Sequence, residues 1–218
     1  MKKFRSVAVA AVLVSGIFAG AAQAVSVSGT TVDYTFDDTL LGLFGNWSIA
    51  GDKLSFDPTN FAASSVSGFA LPVHATTPLI TVKAKTGFSL QDANLHEQGD
   101  YLKITGNTLV TVTGQFILNG SNPPGFSAGD LSTVSLTTNP WEVNASGSLS
   151  GDTGTIKLQN ILIAAVLTTD PGLAFIEKKL VDIWVTTAPT SVPLPPAAWM
   201  LGSALVGLVT VGRRKLGG

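Results

Sequence analysis

The sequence predicts an all-β domain, an antiparallel β-sandwich with a jelly-roll-like or similar topology, flanked by an apolar helix at each end of the chain. Three observations predict this class. Short segments alternate apolar and polar residues with a period of two, as half-buried strands do. Turn-forming residues separate these segments at short intervals, and the central part of the chain has no long amphipathic helical pattern.

The clearest strand patterns lie at three places. Residues 80–85 and 110–113 alternate strictly, and residues 25–36 are rich in Val, Thr and aromatic side chains at the same period. Two hairpin turns are predicted between strand patterns, one at residues 50–53 and one at residues 106–107.

Two apolar stretches fit more than one kind of element. Residues 161–167 form a continuous apolar run, which fits either a strand buried on both faces or part of a helix. Residues 174–183 allow a short helix. However, β-branched and aromatic residues through 180–187 favour a strand, which is the assignment we predict.

The composition limits the functions that this chain can have. Its 218 residues include no cysteine, which excludes disulfides, thiolate metal sites and cysteine nucleophiles. The formal net charge is -1, so the chain lacks the basic excess of a nucleic-acid-binding protein. Only 12% of the residues are charged and the mean hydropathy is +0.38, which indicates hydrophobic segments outside an ordinary core.

The N-terminus has the three parts of a secretory signal peptide. Three basic residues lie within the first five positions, and an apolar stretch covers residues 7–19. Ala22 and Ala24 follow, separated by one residue, and small side chains at this spacing fit signal peptidase. We therefore predict a cleavable signal peptide over residues 1–24 and export through the Sec machinery. An uncleaved anchor is the alternative, although the apolar stretch is short for a membrane span.

The C-terminus carries a second apolar segment with a basic end. Residues 197–212 contain no charged side chain, and Arg213, Arg214 and Lys215 follow at once. Sixteen helical residues cover about 24 Å, slightly less than the hydrocarbon core of a bilayer. The sequence predicts a transmembrane helix here and a cytoplasmic basic tail over 213–218. A buried core helix is the alternative, but it would show a polar face.

A proline-rich linker over residues 189–196 precedes this helix. Its predicted sorting motif consists of Val192, Pro193, Leu194 and Pro195. Prolines at this density prevent a helix and favour an extended backbone that a processing enzyme can grip. The motif, the apolar span and the basic tail together resemble the PEP-CTERM class of bacterial sorting signals, in the variant that reads Val-Pro-Leu-Pro-Ala. Pro196 stands where that variant usually has alanine.

The resemblance implies a route and a set of partners. Signals of this class are thought to be recognised by an exosortase, a membrane-embedded transpeptidase of Gram-negative bacteria that make extracellular polysaccharide. The chain would be held transiently in the lipid bilayer of the inner membrane and then reach the cell surface or extracellular matrix. Residues 54–61 and 97–101 also resemble parts of small secreted proteins with the same tail, which are mostly of unknown function.

The segment between the two basic ends is acidic, although the net charge of the whole chain is only -1. The signal peptide and the tail each hold three basic residues, so seven of the 13 basic residues and all 14 acidic residues lie between them. The segment that we predict to be exported and folded, residues 25–188, is therefore acidic.

Few residues suggest catalysis. His74 and His96 are the two histidines, so a histidine-based metal site would need both, and ordinary surface residues are the simpler interpretation. A Ser-His-Asp hydrolase stays open because triad members need not be adjacent, but the chain has no G-x-S-x-G motif. Asp152, Thr153 and Gly154 match part of an aspartic protease motif. That chemistry needs two such loops or a homodimer, and a polar hairpin turn is favoured.

Two groups of acidic residues are candidates for calcium binding. Asp33, Asp37 and Asp38 lie close in sequence, as do Glu97 and Asp100. Calcium takes about six to eight oxygen ligands, which loops of a secreted sandwich can supply. The chain has no EF-hand or nonapeptide repeat, and a solvated acidic surface is the alternative interpretation.

Aromatic side chains are the candidates for sugar binding. They are Tyr34, Trp47, Tyr101, Trp141 and Trp184. Such side chains could form a flat platform for sugar rings, although aromatic residues more often fill cores. We therefore expect an exported, non-enzymatic surface or matrix protein without a cofactor. An exopolysaccharide-binding module is the alternative, and a secreted hydrolase is the third hypothesis.

Overall fold

The computed structural model describes residues 24–69, 71–105, 107–121, 125–129, 131–168 and 171–190, together with residues 200, 201, 203 and 204. Within these residues the chain forms fourteen β-strands and two short 3-10 turns. The strands are β1 Ala24–Ser28, β2 Val32–Asp37, β3 Asn46–Ala50, β4 Lys53–Asp57, β5 Ala62–Ser65, β6 Gly68–Phe69, β7 Val73–Thr76, β8 Ile80–Ala84, β9 Phe88–Lys103, β10 Thr108–Leu118, β11 Phe126–Ser127, β12 Asn139–Gly151, β13 Thr153–Val166 and β14 Ala174–Pro189. The 3-10 turns are Asp38–Leu40 and Gly42–Phe44.

The strands form two sheets whose pairings are all antiparallel. The first sheet has the order β1-β2-β8-β13-β10-β11, and β6 and β7 also pair with β13. The second sheet has the order β12-β9-β14-β4-β3, and β5 also pairs with β14. The predicted all-β class with antiparallel sheets is therefore confirmed, whereas the finer jelly-roll-like topology stays a prediction.

The core lies between the two sheets and draws side chains from both. Each strand contributes alternate residues to it, as the period of two requires. Tyr34, Val82 and Ile156 of the first sheet are fully buried, as are Leu54 and Ile183 of the second. This shared core makes the arrangement a sandwich of two layers.

A cluster of aromatic rings closes one region of the core. Phe36 packs edge-on against Trp47 and Phe56, with ring centroids 5.7 and 6.3 Å apart. Phe44 packs in the same way against Phe56 and Phe61, at 6.1 and 5.8 Å. Edge-to-face pairs of this kind add stabilisation beyond the area that they bury.

One of the two predicted hairpins is confirmed and the other is wrong. β3 and β4 pair directly across the turn at residues 50–53, with Ala50 opposite Lys53 and Gly51 at a positive φ of 63°. The strands on either side of residues 106–107 do not pair with each other. β9 belongs to the second sheet and β10 to the first, so the chain crosses between sheets here. Gly106 itself lies outside the described residues.

Both ambiguous apolar stretches are strands. Residues 161–166 belong to β13, which is covered by the core on one face and paired on both edges. Residues 174–183 belong to β14, so the short helix that the sequence allowed there does not form. The strand predicted over 180–187 is confirmed.

Most of the predicted terminal segments lie outside the residues that the structure describes. Residues 1–23, 191–199, 202 and 205–218 lie outside the described residues, and with them the signal helix, the sorting motif, most of the C-terminal helix and the basic tail. Ala24, at the predicted signal peptidase site, is the first residue of β1 and lies opposite Asp37. The described residues include no helix of the length and apolar character needed to cross a membrane.

Candidate functional site

The outer face of the second sheet carries a patch of polar side chains around one tryptophan. Four strands, β12, β9, β14 and β4, place the outward residues of two neighbouring rows side by side. One row reads Asn144, His96, Asp182 and Ser55, and the next reads Ser146, Asn94, Trp184 and Lys53. We call these eight residues the Trp184 patch.

A β-bulge in β14 determines which side chains reach this patch. The register between β14 and β9 shifts between Lys178 and Leu180, which leaves Lys179 as an extra residue. Before the bulge, even-numbered residues such as Lys178 face the core. After it, Val181 and Ile183 are buried and Trp184 turns outward. Without the extra residue, the part of β14 after the bulge would turn Trp184 into the core and Val181 and Ile183 toward solvent.

Trp184 lies at the border of two depressions in this surface. The larger, of about 450 Å³, is lined by Lys53, His96, Asp182 and neighbouring residues. The smaller, of about 210 Å³, is lined by Asn94, Ser146 and neighbouring residues. Trp184 and Asn144 line both depressions, and the indole side chain is partly exposed.

Hydrogen bonds hold the floor of the larger depression. Asp182 is buried and accepts hydrogen bonds of 2.6 Å from the Ser55 hydroxyl and 3.0 Å from the Lys53 ammonium. Lys53 keeps 46% of its side chain exposed, so its ammonium is reachable from solvent. His96 Nε2 lies 3.8 Å from a carboxylate oxygen of Glu142, which is mostly exposed. Within the patch, the charge of Lys53 is therefore offset by that of Asp182.

A further depression of about 310 Å³ lies at the edge of the same sheet, between β12, β9 and β14. Its charged groups form an exposed network in which Lys179 pairs with Asp100 and, at 3.1 Å, with Glu177. These carboxylates raise the pKa of Lys179, Asp100 most of all. Exposed pairs of this kind contribute little to stability because water and salt screen them.

Most of the aromatic residues predicted for sugar binding fill the core instead. Tyr34, Tyr101 and Trp141 are buried, and Trp47 packs edge-on against a phenylalanine of the core. Burial raises the pKa of Tyr34, so its hydroxyl stays neutral and donates to the Asp52 carbonyl at 2.6 Å. These side chains do not form a flat platform, and of these five residues Trp184 is the one that borders the surface patch.

The two histidines lie on opposite sides of the sandwich. His74 is on β7, which belongs to the first sheet, and its side chain is exposed. His96 is on β9 and contributes to the outer face of the second sheet. Sheets in a sandwich pack about 10 Å apart, so these two imidazoles cannot share a metal ion. The described residues include no group of three His, Asp or Glu positioned to hold a metal.

The larger depression contains a histidine, a carboxylate and a nearby serine, but not in the order of a hydrolytic triad. In a triad the histidine accepts from the serine, and the carboxylate orients the histidine. Here the Ser55 hydroxyl donates directly to Asp182, which is also paired with Lys53. Among the described residues, Ser55 makes no hydrogen bond to His96.

The aspartic protease motif lies where the chain crosses between sheets. β12 of the second sheet ends at Gly151 and β13 of the first begins at Thr153, so Asp152 occupies the connection. The Asp152 carbonyl accepts a backbone hydrogen bond of 2.8 Å from Ala84. Gly154 is already paired within the first sheet, opposite Val82. The hairpin turn that we predicted here is therefore wrong, because β12 and β13 belong to different sheets and do not pair with each other.

The acidic residues considered for calcium have other partners. Asp33 accepts from Ser28 at 2.6 Å, and Asp37 accepts from the backbone and hydroxyl of Thr39. Glu97 points into the core, whereas Asp100 lies on the outer face of the same strand. Neighbouring positions of opposite parity on a strand face opposite sides, so the latter pair cannot share one ion.

Comparisons with known proteins give no family. No protein-family model matches the chain, and no curated protein sequence matches it. Among solved structures, a family 35 carbohydrate-binding module from an environmental isolate is similar at 15% identity and a TM-score of 0.22, covering 79% of this chain and 96% of the module. A structure of infectious bursal disease virus, Gx strain, is similar at 7% identity and a TM-score of 0.23, covering 70% of this chain and 49% of the viral chain. Scores this low carry no inference about function.

Proposed function

We propose that this chain is an exported bacterial surface protein whose β-domain binds a neutral saccharide at the Trp184 patch. The observation that carries the proposal is the partly exposed indole of Trp184 between two depressions lined by amide, hydroxyl and imidazole groups. An indole offers an apolar face on which a sugar ring can stack. The surrounding side chains offer hydrogen-bond donors and acceptors for its hydroxyls.

The side chains around Trp184 favour an uncharged ligand. Asn94 and Asn144 each present a carbonyl acceptor and an amide donor, which suits hydroxyl groups that both donate and accept. Lys53 is paired with Asp182, so its charge is offset within the patch. The segment between the basic ends is acidic as a whole, which disfavours a polyanionic ligand.

Saccharide binding is testable with the purified protein and a panel of neutral gluco-, manno-, galacto- and xylo-oligosaccharides. We expect saturable binding to at least one member, and we expect Trp184→Ala to weaken it roughly tenfold or more. Leu109→Ala is the matched control, because Leu109 is 38% exposed on β10 of the opposite sheet. Binding by the Trp184 variant at the strength of the unmodified protein would contradict the proposal.

The export part of the proposal rests on the two ends of the sequence. We propose removal of residues 1–24 by signal peptidase and recognition of Pro193 to Pro195 by an exosortase, with Arg213 to Lys215 marking the cytoplasmic side. The test is the mass of the mature protein from an exosortase-containing Gram-negative bacterium and from a strain without the enzyme. We expect loss of the C-terminal helix in the first strain alone. A mature chain that still ends at Gly218 in both strains would contradict this part.

A further inference from the structure

Three polar side chains meet in the core, between the two sheets. Glu97 lies on β9, Asn160 on β13 and Lys178 on β14, so the cluster joins the second sheet to the first. The side chains of Glu97 and Lys178 are fully buried, and Asn160 is 1% exposed. Burying an ion pair costs free energy that its attraction often does not offset. The cluster is therefore a feature that packing alone does not explain.

The three side chains form a closed set of contacts. The Lys178 ammonium contacts Oε2 of Glu97 as an ion pair and donates a hydrogen bond of 2.6 Å to Oδ1 of Asn160. Nδ2 of Asn160 donates a hydrogen bond of 2.7 Å to Oε1 of Glu97. Cγ of Asn160 is one C=O bond, about 1.23 Å, from Oδ1. The distance from Lys178 Nζ to that carbon is therefore at most about 3.8 Å.

Burial favours the neutral amine of Lys178, although two nearby aromatic rings attract the ammonium form. Lys178 Nζ lies 5.4 Å from the ring centroid of Phe61 and 5.7 Å from that of Trp141. Burial lowers the pKa of Lys178 to about 8, although the adjacent Glu97 carboxylate acts in the opposite direction. A lysine with a lowered pKa spends more time as the neutral amine, which is the nucleophilic form.

We propose that Lys178 and Asn160 form an intramolecular isopeptide bond, an amide between Nζ of Lys178 and Cγ of Asn160, and that Glu97 transfers the protons. The amine is the nucleophile and the carboxamide carbon is the electrophile. The Glu97 carboxylate touches both reacting groups and lies within hydrogen-bond reach of the leaving nitrogen. Folding brings the three groups together and excludes water, so the reaction needs no oxidant and no second protein.

The reaction balances with ammonia as the one product that leaves. Glu97 takes a proton from the Lys178 ammonium, and the amine lone pair attacks Cγ of Asn160 while the carbonyl electron pair moves to Oδ1. Glu97 then gives its proton to Nδ2 and accepts one from Nζ. The electron pair returns from Oδ1, the Cγ–Nδ2 bond breaks with its pair on nitrogen, and ammonia leaves. The products are an uncharged amide and a neutral Glu97 carboxylic acid.

Such a bond would connect the two layers of the sandwich. β13 belongs to the first sheet and β14 to the second, and β14 leads into the predicted proline-rich linker. The chain has no cysteine, so a disulfide cannot provide this connection. The amide would also replace a buried ion pair by an uncharged group, which removes the cost of burying two charges. The inference does not depend on saccharide binding.

Peptide mass spectrometry of the denatured full-length protein tests the proposal. Trypsin should release residues 158–179 as one peptide, uncut after Lys178, with a mass lower than its sequence mass by one ammonia. Further cleavage after Glu177 should leave the two pieces joined. Succinimide formation at Asn160 also releases ammonia, but it would leave Lys178 cleavable and the pieces separate, which would overturn the proposal.

Variants assign the roles of the three residues. Lys178→Met and Asn160→Ala each remove a reacting group, so their peptides should have the full sequence mass. Lys103→Met is the matched control, because Lys103 is another buried lysine and its removal should leave the ammonia loss intact. Glu97→Gln should slow cross-linking roughly 100-fold or more. Release of residues 158–178 at full sequence mass from the folded protein without substitutions would overturn the proposed bond. Cross-linking of the Glu97→Gln variant at the normal rate would overturn the proposed role of Glu97.

Discussion

Lys178 and Lys179 are adjacent in the sequence but lie in opposite environments. Lys178 is buried between the sheets, where burial lowers its pKa to about 8. Lys179 is exposed, and its contacts with Asp100 and Glu177 raise its pKa. Adjacent residues of a strand face opposite sides, so Lys178 points into the core and Lys179 points to solvent. The bulge between Lys178 and Leu180 reverses the alternation only for the residues of β14 that follow it. One amino acid type thus has two chemical roles at neighbouring positions.

The lowered pKa of Lys178 predicts a pH-dependent stability in a protein that cannot cross-link. In the Asn160→Ala variant, Lys178 still faces Glu97, the charged group placed against it. Between about pH 8 and the ordinary value of 10.5, the unfolded chain binds more protons at this lysine than the folded chain does. Stability should therefore rise with pH through this window, and the destabilisation by Lys178 is complete below it.

Urea unfolding of this variant and of the double variant Asn160→Ala, Lys178→Met, at about pH 7.5 and about pH 10, measures this effect. The free energy of unfolding should increase with pH more steeply when Lys178 is present. Equal pH dependence of the two proteins would show that the Lys178 ammonium is not destabilised by burial.

The reactive cluster shows why residue-level function was harder to predict than the fold. In the sequence, Glu97 stood out as a neighbour of Asp100 and as part of the segment 97–101, and Asn160 lies just before the apolar run 161–167 without any motif. The sequence does not reveal that β9, β13 and β14 bring these side chains together across two sheets. A charged residue at a core-facing position of a strand would have indicated the cluster. Which positions face the core is known only once the strand register is known.

At the scale of elements, β9 and β14 form the centre of the second sheet. They pair over most of their lengths, from Ala174 opposite Lys103 to Pro189 opposite Phe88. β9 also pairs with β12, which brings Trp141 opposite Gly99. The Trp141 indole donates a hydrogen bond of 3.0 Å to the Glu177 carbonyl, so it spans from β12 across β9 to β14.

Gly99 makes room for this tryptophan, which predicts a severe effect of adding one methyl group. A Cβ at position 99 would lie 1.9 Å from the Glu177 carbonyl oxygen and 2.8 Å from the Trp141 ring. We expect Gly99→Ala to destabilise the protein by about 2–4 kcal/mol. Gly129→Ala is the control, because a Cβ there has no neighbour within 4 Å. Equal melting temperatures for the two variants would contradict this close packing.

Strands were predictable from the alternation pattern, whereas their partners were not. The β3–β4 hairpin followed from four turn residues at 50–53. The connection at residues 106–107 has similar turn chemistry, yet it joins strands of different sheets. A turn motif specifies the local backbone, but pairing depends on what else competes for the strand edges. The alternation pattern did not predict most of β9, because Glu97 and Lys103 stand at core-facing positions where the pattern requires apolar residues.

At the scale of the whole molecule, three tasks are assigned to three separate regions. We propose that the signal peptide and sorting tail direct transport, that the outer face of the second sheet binds a ligand, and that the interior holds the reactive cluster. If the cross-link forms, it closes a loop of about 19 residues, and loops of this size contribute about 3 kcal/mol to stability when closed covalently. Such a contribution would suit the exported protein that we propose, because the chain has no cysteine and therefore no disulfides.

The signal peptide assignment predicts the effect of a single substitution at the cleavage site. Ala24→Phe places a large side chain where signal peptidase accepts a small one, so the precursor should keep residues 1–24. Ala21→Phe is the control, since it lies outside the A-x-A positions and should be processed normally. Masses of the membrane-associated proteins distinguish these outcomes, and normal processing of the Ala24 variant would argue against the assignment.

The most direct test of the account is a nuclear magnetic resonance titration of the ¹⁵N-labelled protein with the neutral oligosaccharide that binds best in the panel. The indole N–H of Trp184 should shift progressively to saturation, because this side chain borders both depressions. The indole N–H of Trp141 should stay in place, since the side chain is buried and bonded to the Glu177 carbonyl. Saturable binding that leaves Trp184 unmoved, or no binding to any of the oligosaccharides, would contradict the account.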